Sequence, residues 1–331
     1  MGIAMGRLLF IIGSLMAIGS GVGLAIWHTG NLDPVDEIEI ARKEHNFPFE
    51  SQTIPGSDGV DLHVVLAGPK DGTPVVLIHG FPEFWFSWRQ QIVALAEAGY
   101  RVAAPDLRGY NRSDKPRGQA KYTLAAYAAD IVALIDAQGW ARANIAGHDV
   151  GATIAWTLIY DHPERINKAV VFNVAPLAAL ADATAAGATS VSWYRAAFRI
   201  PLLPELALRA GGYRTLANTM MRDAKEGAFS ERDIQIYKSS WARENAISTM
   251  LGFYRADGLD GDFNRFFAKA PVPSLFVGVG KDPYLPLEAT EAARKYVDRV
   301  EFWPEVSHWI LQEEPARTSA LMIEYFGNTS D

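Results

Sequence analysis

Short apolar runs that alternate with helix-like stretches constrain most strongly how this chain can fold. The runs cover residues 73–80, 100–106, 143–149 and 167–175, and a hairpin pattern over 50–68 with its turn at 57–59 precedes them. Apolar runs without polar alternation are typical of parallel strands that are buried on both faces. Helix-like stretches such as 87–99 separate them. This order predicts a doubly wound α/β sheet.

A helical insertion interrupts the predicted sheet. The alternation stops at about residue 176, and residues 177–265 predict helices and loops without a strand. Strand patterns return at 272–282 and 299–303, and a final helix pattern follows. Such an insertion would lie over the carboxyl ends of the strands, where open α/β sheets bind ligands. We therefore predict a core in two parts, 50–176 and 266–331, with a helical cap at 177–265.

The N-terminal segment predicts a membrane anchor. Residues 8–27 are uncharged and mostly apolar, and about 20 helical residues span roughly 30 Å, enough to cross a bilayer core. Arg7 precedes the segment and acidic residues follow it, so the positive-inside rule places the N-terminus in the cytoplasm and the body across the membrane. A cleaved signal peptide is the alternative for residues 1–30. Residues 31–49 are polar and predict a linker with some helix.

Charge and composition exclude several classes of function. Lys plus Arg number 31 and Asp plus Glu number 38, which gives a net charge of −7. An acidic chain without a basic run is not expected to bind nucleic acid. Cysteine is absent, so disulfides, thiolate metal sites and cysteine nucleophiles are excluded. No helical HExxH and no phosphate-binding GxGxxG occurs, so we expect neither a metal nor a cofactor.

The main chemical signal is the segment Gly147–Gly151, Gly-His-Asp-Val-Gly, between a buried strand pattern and a helix pattern. A nucleophile between small residues at a strand-to-helix turn is a nucleophile elbow, whose tight backbone needs the glycines. The nucleophile would be Asp149, a carboxylate that needs no base and whose charge the helix N-terminus favours. It would attack an sp³ carbon that bears a leaving group and form an ester. Alternatively, Asp149 is only a helix N-cap.

The segment His79–Pro82 follows the 73–78 strand pattern, where elbow enzymes supply a second backbone N–H of the oxyanion hole. We expect the N–H groups of Phe81 and Val150 to face the ester oxygen of Asp149. The proline would stiffen this loop and permits a cis peptide bond. His79 is expected to orient the loop by hydrogen bonding beneath the site rather than to act as the base.

Two later residues complete a predicted triad. Asp282 ends the 272–282 strand pattern, and His308 lies between the last strand pattern and the last helix pattern. Nucleophile, acid and histidine in this chain order match the α/β-hydrolase triad. His308 would deprotonate the water that attacks the ester, and Asp282 would hold the imidazole in the correct tautomer. An Asp before a proline is also typical of a turn.

Over roughly residues 50–327 the chain resembles the α/β-hydrolase family and, within it, the epoxide hydrolases. The motifs that carry the resemblance are HGFPEFWFSWRQQ (79–91), AGYRVAAPDLRGYNRSDKP (98–116), GHDVGATIAW (147–156) and DHPERI (161–166). The resemblance implies an α/β-hydrolase fold with a mostly parallel sheet and an inserted helical cap.

The same resemblance implies two cap tyrosines that hydrogen-bond to the epoxide oxygen and help to protonate the leaving alkoxide. It assigns them to Tyr254, in the segment Gly-Phe-Tyr-Arg, and to Tyr194, which precedes Pro201 near the start of the cap. Neutral O–H donors opposite the nucleophile are what ring opening requires, because the leaving oxygen stays attached to the product. Alternatively, either tyrosine is a core residue with a satisfied hydroxyl.

Haloalkane and haloacetate dehalogenases resemble this chain and share the Asp nucleophile. Haloalkane dehalogenases tend to carry Trp after the nucleophile to bind halide, and haloacetate dehalogenases carry Arg there to bind carboxylate. This chain has Val150, which favours an epoxide. Many epoxide hydrolases also have Trp at this position, so the substrate preference is left open. The mechanism requires only the backbone N–H.

The sequence therefore predicts an enzyme that hydrolyses a small apolar epoxide with water to a vicinal diol, through an ester on Asp149. It would be anchored to a membrane through residues 8–27 with its catalytic domain on the non-cytoplasmic side, or exported. The alternatives are a haloalkane or haloacetate dehalogenase and a catalytically silent hydrolase-like domain that binds a lipid or a partner. Substrate identity, stereochemical preference and oligomeric state are not predicted.

Overall fold

A computed structural model describes residues 35–189, 193–256 and 263–327. Within these residues the chain forms an eight-stranded sheet of order β1-β2-β4-β3-β5-β6-β7-β8. The strands are β1 (Glu50–Pro55), β2 (Asp61–Ala67), β3 (Thr73–Ile78), β4 (Tyr100–Pro105), β5 (Ala143–His148), β6 (Ile166–Phe172), β7 (Ser274–Lys281) and β8 (Arg299–Ser307). The predicted α/β-hydrolase fold, with a mostly parallel sheet, is confirmed.

Strand direction follows the sequence pattern. The first two strands form the predicted antiparallel hairpin, with Glu50 opposite Leu66 and Pro55 opposite Asp61. Strand β2 also pairs antiparallel with β4, and every other neighbouring pair is parallel. The interior strands are apolar on both faces because helices cover both sides of the sheet; the run Val75–Ile78, for example, is fully buried.

Helices connect the strands and form the insertion. They are α1 (Glu37–His45), α2 (Arg89–Glu97), α3 (Leu124–Ala137), α4 (Val150–Asp161), α5 (Leu177–Ala185), α6 (Trp193–Phe198), α7 (Leu203–Asp223), α8 (Glu231–Trp241), α9 (Ala246–Met250), α10 (Gly252–Arg255), α11 (Glu288–Ala293), α12 (Ile310–Glu313) and α13 (Pro315–Gly327). The backbone of α7 departs from helical angles at residues 210–213.

Helices α5 to α10 lie between β6 and β7 in the chain and pack on loops at the carboxyl ends of the strands. In the loop after β3, Trp241 Nε1, at the end of α8, donates to the carbonyl of Pro82 at 2.6 Å. Thr249 Oγ1, in α9, donates to the carbonyl of Gly109 in the loop after β4, at 2.6 Å. The insertion therefore covers the edge of the sheet at which the nucleophile elbow opens. The exact boundaries of the cap, 177–265, stay a prediction.

The structure extends two of the predictions. The strand predicted at 299–303 continues to Ser307, because Pro304 lies in β8 at the edge of the sheet, where the missing N–H costs no ladder hydrogen bond. The described part of the segment 31–49, predicted as a linker with some helix, does contain a helix, and this helix packs on the core. The helix, α1, buries Ile38 and Ala41 and holds Glu37 in contact with Arg112 Nε at 2.8 Å.

The predicted anchor at residues 8–27 lies outside the described residues. Among the residues that the structure does describe, no helix combines the length and the apolar character needed to cross a bilayer.

Candidate active site

Asp149 occupies the turn between β5 and α4 with φ 53° and ψ −115°, a backbone conformation that is rare for residues other than glycine. A Cβ atom on Gly151 would lie 2.1 Å from the carbonyl oxygen of Ile78, and one on Gly80 would lie 2.5 Å from Cβ of Asp149. The close approach of backbones therefore requires both glycines. The side chain of Asp149 makes no N-cap hydrogen bond to α4, so capping does not explain its position.

The Asp149 carboxylate receives a hydrogen bond from the loop after β3. The N–H of Phe81 donates to Oδ1 at 2.7 Å, and the Phe81–Pro82 peptide bond is cis. Val150 is the first residue of α4, where a backbone N–H has no acceptor within its own helix. Of the two predicted N–H donors, Phe81 is bonded to the carboxylate, and Val150 follows Asp149 directly at the start of α4.

His308 and Asp282 come together as predicted. Nδ1 of His308 lies 2.8 Å from Oδ2 of Asp282, and Nε2 lies 3.7 Å from Oδ2 of Asp149. The imidazole therefore points one nitrogen at each carboxylate. Both His308 and Asp282 are buried, whereas the side chain of Asp149 keeps 19% of its surface exposed. A water molecule attacking Asp149 would meet Nε2 of His308.

Charges around His308 change its protonation. Burial by itself lowers the pKa of the imidazole, but the charge and hydrogen bond of Asp282, together with the charge of Asp149, outweigh burial and raise the pKa to about 9. Burial raises the pKa of Asp282, and its contact with His308 and hydrogen bonds from neighbouring groups turn the net shift downward. The pair is therefore held as imidazolium and carboxylate while Asp149 is charged.

Asn173 holds the acid in place. It follows β6 with φ 68°, and its Nδ2 donates to Oδ2 of Asp282 at 2.8 Å. The same nitrogen lies 3.3 Å from the carbonyl oxygen of His308. Sequence reasoning missed this supporting role of Asn173.

Tyr254 and Tyr194, both in the insertion, lie beside each other and next to the loop whose N–H is bonded to Asp149. Their rings lie 6.0 Å apart, and the ring of Tyr254 packs edge-on against Phe81 at 5.4 Å. Burial raises the pKa of both hydroxyls, and the charge of Asp149 raises it further, which places both tyrosines within its electrostatic reach. Both side chains are therefore neutral O–H donors at physiological pH.

His79 has the geometry of an orienting residue. The N–H of Leu107 donates to its Nε2 at 3.0 Å, so Nδ1 carries the proton and donates to the carbonyl of Gly80, also at 3.0 Å. Burial holds the pKa of His79 below its ordinary value. The imidazole is thus neutral and has both nitrogens occupied beneath the loop.

Sequence reasoning missed a buried pair behind the catalytic histidine. His148 Nε2 donates to the carbonyl of His308 at 2.8 Å, and its Nδ1 lies 3.5 Å from Oε2 of Glu83. Oε1 of Glu83 in turn accepts from Tyr237 at 2.9 Å and from Gln312 at 2.7 Å. Both residues are direct chain neighbours of predicted motif positions, Pro82 and Asp149, and this adjacency was the available signal.

Tyr284 is a third tyrosine of the site that the sequence did not single out. Its ring meets the rings of His308 and Tyr194 edge-on at 5.2 and 5.5 Å. Its backbone N–H donates to Oδ1 of Asp282 at 2.8 Å. Among the described residues, no group of three or more His, Asp or Glu side chains is arranged to hold a metal ion.

A sequence model of the α/β-hydrolase fold family matches residues 73–315. The chain belongs to this family. Among curated relatives, an AB hydrolase superfamily protein, YfhM, of Bacillus subtilis is 35% identical over 276 residues, which cover 82% of this chain and 96% of the relative. Epoxide hydrolase A of Mycobacterium tuberculosis is 29% identical over 311 residues, which cover 83% of this chain and 97% of that protein.

Solved structures of epoxide hydrolases are also similar to this chain. The crystal structure of epoxide hydrolase A from Mycobacterium thermoresistibile superposes with a TM-score of 0.73 at 26% identity and covers 86% of this chain and 99% of its own. An epoxide hydrolase from Vigna radiata also has a TM-score of 0.73, at 27% identity, with 84% and 98% covered. The predicted resemblance to α/β-hydrolases of the epoxide hydrolase type is confirmed, and with it the prediction that this α/β-hydrolase is an enzyme.

Proposed function

We propose that this enzyme hydrolyses epoxides to vicinal diols through a covalent ester on Asp149. The observation that carries the proposal is a carboxylate, Asp149, that lies 3.7 Å from His308 and accepts the N–H of Phe81, whose ring packs on the neutral Tyr254 and, through it, next to Tyr194. This arrangement supplies a nucleophile and neighbouring proton donors for a leaving alkoxide. The similarity to curated and solved epoxide hydrolases supports the same chemistry.

The hydrogen bonds of Asp149 determine which of its oxygens attacks in the first half-reaction. Oδ1 accepts the N–H of Phe81, so Oδ2 attacks the epoxide carbon. The new C–O bond forms as the ring C–O bond breaks, and its electron pair moves to the epoxide oxygen. That oxygen takes a proton from Tyr254 or Tyr194, and the product is a hydroxyalkyl ester of Asp149.

The second half-reaction hydrolyses this ester. Ester formation removes the charge of Asp149 that helps to raise the pKa of His308, and the imidazolium gives its proton through solvent to the tyrosinate left by ring opening. The neutral imidazole then takes a proton from a water molecule, which attacks Cγ of Asp149. Negative charge develops on Oδ1, where the N–H of Phe81 already lies and the N–H of Val150 is the second donor. Collapse of the intermediate releases the diol, whose new hydroxyl takes the remaining proton of the attacking water, and leaves Asp149 as a carboxylate and His308 as an imidazolium, as before the reaction. Asp282 stabilises this imidazolium.

The alternative functions receive less support from the site. A dehalogenase would use the same nucleophile, but the side chain of Val150 offers neither an N–H for halide nor a guanidinium for carboxylate. A silent binding domain would not need nucleophile, base and acid in contact. Substrate would be small and apolar, because the aromatic rings of Phe81, Phe198 and Tyr254 pack against one another, and Phe81 is the residue whose N–H is bonded to Asp149.

The location of the enzyme is a proposal that rests on the sequence alone. The apolar segment 8–27 and its flanking charges favour an anchored protein whose catalytic domain faces away from the cytoplasm, or an exported one.

A single-turnover reaction of excess enzyme with an aryl epoxide in ¹⁸O-water tests the mechanism. We expect the first diol to carry unlabelled oxygen from Asp149, and the label to appear in the peptide that contains this residue. Label directly in the diol would reduce Asp149 to a general base and refute the ester. Absence of diol from several epoxides, with halide released from haloalkanes, would replace the proposal with a dehalogenase.

A further inference from the structure

The insertion presents an apolar surface to solvent, which we call the cap patch. It consists of Ile200, Leu202, Leu203 and Leu206, which are 47%, 72%, 45% and 52% exposed. Half of the large hydrophobic side chains that are exposed within the described residues fall in this stretch of seven. Isolated apolar residues are ordinary on protein surfaces, but a concentration of this kind marks an interaction site.

Backbone strain accompanies the most exposed member of the patch. Leu202 has φ 67° and ψ −38°, a left-handed conformation that a bulky side chain rarely adopts. It lies between Pro201 and the first turn of α7. This conformation closes a tight turn, in which the N–H of Leu203 donates to the carbonyl of Pro201 at 2.8 Å, and it leaves the leucine side chain at the tip of the turn, in solvent.

Positive charge surrounds the patch in an otherwise acidic protein. Residues 193–222 contain five arginines and one acid, Glu205, whose carboxylate is bonded to Arg255 at 2.6 and 2.9 Å. Four of the arginines form no ion pair with any described residue: Arg195, Arg199, Arg209 and Arg214, of which Arg199 donates to the carbonyl of Tyr254. Leucines flanked by unpaired arginines are the composition of surfaces that bind anionic lipid. Two copies of the patch placed face to face would instead bring like charges together.

The N-terminal side of the chain points to the same edge of the molecule. Glu37, in the first turn of α1, accepts from Nδ2 of Asn111 in the loop after β4, at 3.1 Å. Oδ1 of Asn111 accepts from Nε of Arg243, in the insertion, at 2.9 Å. Only residues 28–34 separate the predicted membrane segment from the described body, and seven residues reach at most about 25 Å. The predicted anchor would thus hold the cap side near the bilayer.

An aromatic ring links the patch to the nucleophile. Phe198, two residues before Ile200, packs against Tyr254 at 5.1 Å and against Phe81 at 5.6 Å. Tyr194 lies on the same short helix, α6, at 5.7 Å from the Phe198 ring. An apolar molecule that crosses the patch would therefore meet the ring-opening tyrosines next.

We propose that the cap patch docks on an anionic lipid bilayer and that apolar substrate enters the site from the lipid phase. The docking itself is independent of the reaction, whereas the entry of an epoxide from lipid rests on the proposed function. The arginines would lie at the level of the headgroups and the leucines below them.

The absence of native cysteine allows a direct test in the full chain. The Leu202→Cys variant is labelled with the environment-sensitive fluorophore NBD and reconstituted into phosphatidylcholine vesicles with or without phosphatidylglycerol. The control is Glu97→Cys, an exposed position at the end of α2. We expect blue-shifted emission and quenching by acyl-chain doxyl lipids at position 202 only, and a stronger effect with phosphatidylglycerol.

The opposite outcomes are equally distinct. Equal emission at positions 202 and 97, without quenching, would overturn the docking. A blue shift that doxyl lipids do not quench and that grows with protein density would assign the patch to a second copy of the chain and also overturn it. These fluorescence measurements need no turnover, so their outcome does not depend on whether the proposed function is correct.

A kinetic comparison tests entry from lipid. The Leu202→Ser/Leu206→Ser double variant should lose activity several-fold toward a long-chain epoxide dissolved in vesicles and retain it toward a small water-soluble epoxide. Equal activity of variant and parent on both substrates would refute entry through the patch. A parallel loss on both would indicate damage to the cap and would likewise remove the support for lipid entry.

Discussion

The hydroxyl of Tyr284 donates a hydrogen bond of 2.9 Å to Oδ2 of Asp223, the last residue of α7. The backbone of Tyr284 is bonded to Asp282, and its ring lies against His308. One side chain therefore joins the loop of Asp282 to the insertion that carries Tyr194 and Tyr254. We expect this contact to couple the position of the insertion to the alignment of His308.

We expect Tyr284→Phe to reduce kcat/KM about tenfold, because a hydrogen bond to a charged acceptor contributes about 1.5 kcal/mol. Steady-state kinetics with an aryl epoxide measures the effect. Tyr296→Phe is the matched control, since its hydroxyl donates to Asp182 at 3.0 Å in the same kind of bond, partly buried and away from Asp149 and His308. Equal kinetics for the two variants would show that the Tyr284–Asp223 bond has no role in alignment.

The two cap tyrosines should act in the alkylation step alone. Tyr254→Phe and Tyr194→Phe are each expected to slow ester formation about 10²-fold, the usual contribution of a general acid. The double variant should form almost no ester. Rapid-quench mass spectrometry of the enzyme measures the step. Tyr213→Phe, another buried tyrosine of the insertion, is the control. Unchanged alkylation in the double variant would contradict the assigned roles.

His308→Gln should separate the half-reactions. Glutamine cannot deprotonate water, so the variant should form the ester on Asp149 and fail to hydrolyse it. Intact-mass measurement should then show one added substrate mass per enzyme molecule, with no further turnover. His162→Gln, at a partly exposed histidine outside the site, should turn over normally. A variant without any covalent adduct would show that His308 is also needed for alkylation.

The stability of the enzyme should depend on the protonation of His308. In the folded state its pKa is raised from 6.5 to about 9, because Asp282 and Asp149 outweigh burial, so folding favours the imidazolium. This stabilisation is fully present below pH 6.5 and is lost as the pH rises through 9. The free energy of unfolding of the parent, relative to His308→Gln, should fall by about 3 kcal/mol over that interval. Chemical denaturation at pH 6 and pH 10 measures it, and a constant difference would contradict the assigned pKa.

Most of the core was predictable because its determinants are local. Each parallel strand is an apolar run whose length matches the observed strand within a few residues, as for Tyr100–Pro105. The elbow was predictable because close backbone approach leaves no room for a side chain at Gly151, which makes the glycine visible in the sequence. The extension of β8 through Pro304 was missed because the pattern cannot tell an edge strand from a central one.

The packing of α1 was missed for a related reason. Its sequence is polar, and a polar segment before the first strand predicts a linker. The structure buries Glu37 against Arg112 and Asn111, which lie in a loop some 70 residues later. The partner of a buried charge is set by the fold and leaves no mark in the local pattern.

The sequence by itself determined the α/β topology, the carboxylate at the elbow and the order of nucleophile, acid and histidine, because strand burial and tight turns restrict residue type at each position. Only the tertiary structure decided what surrounds these groups: the support of Asp282 by Asn173, the buried contact of Glu83 with His148, and the bond from Tyr284 to Asp223. Those contacts join residues that are far apart in the chain. Their geometry exists only after the sheet and the cap have packed together.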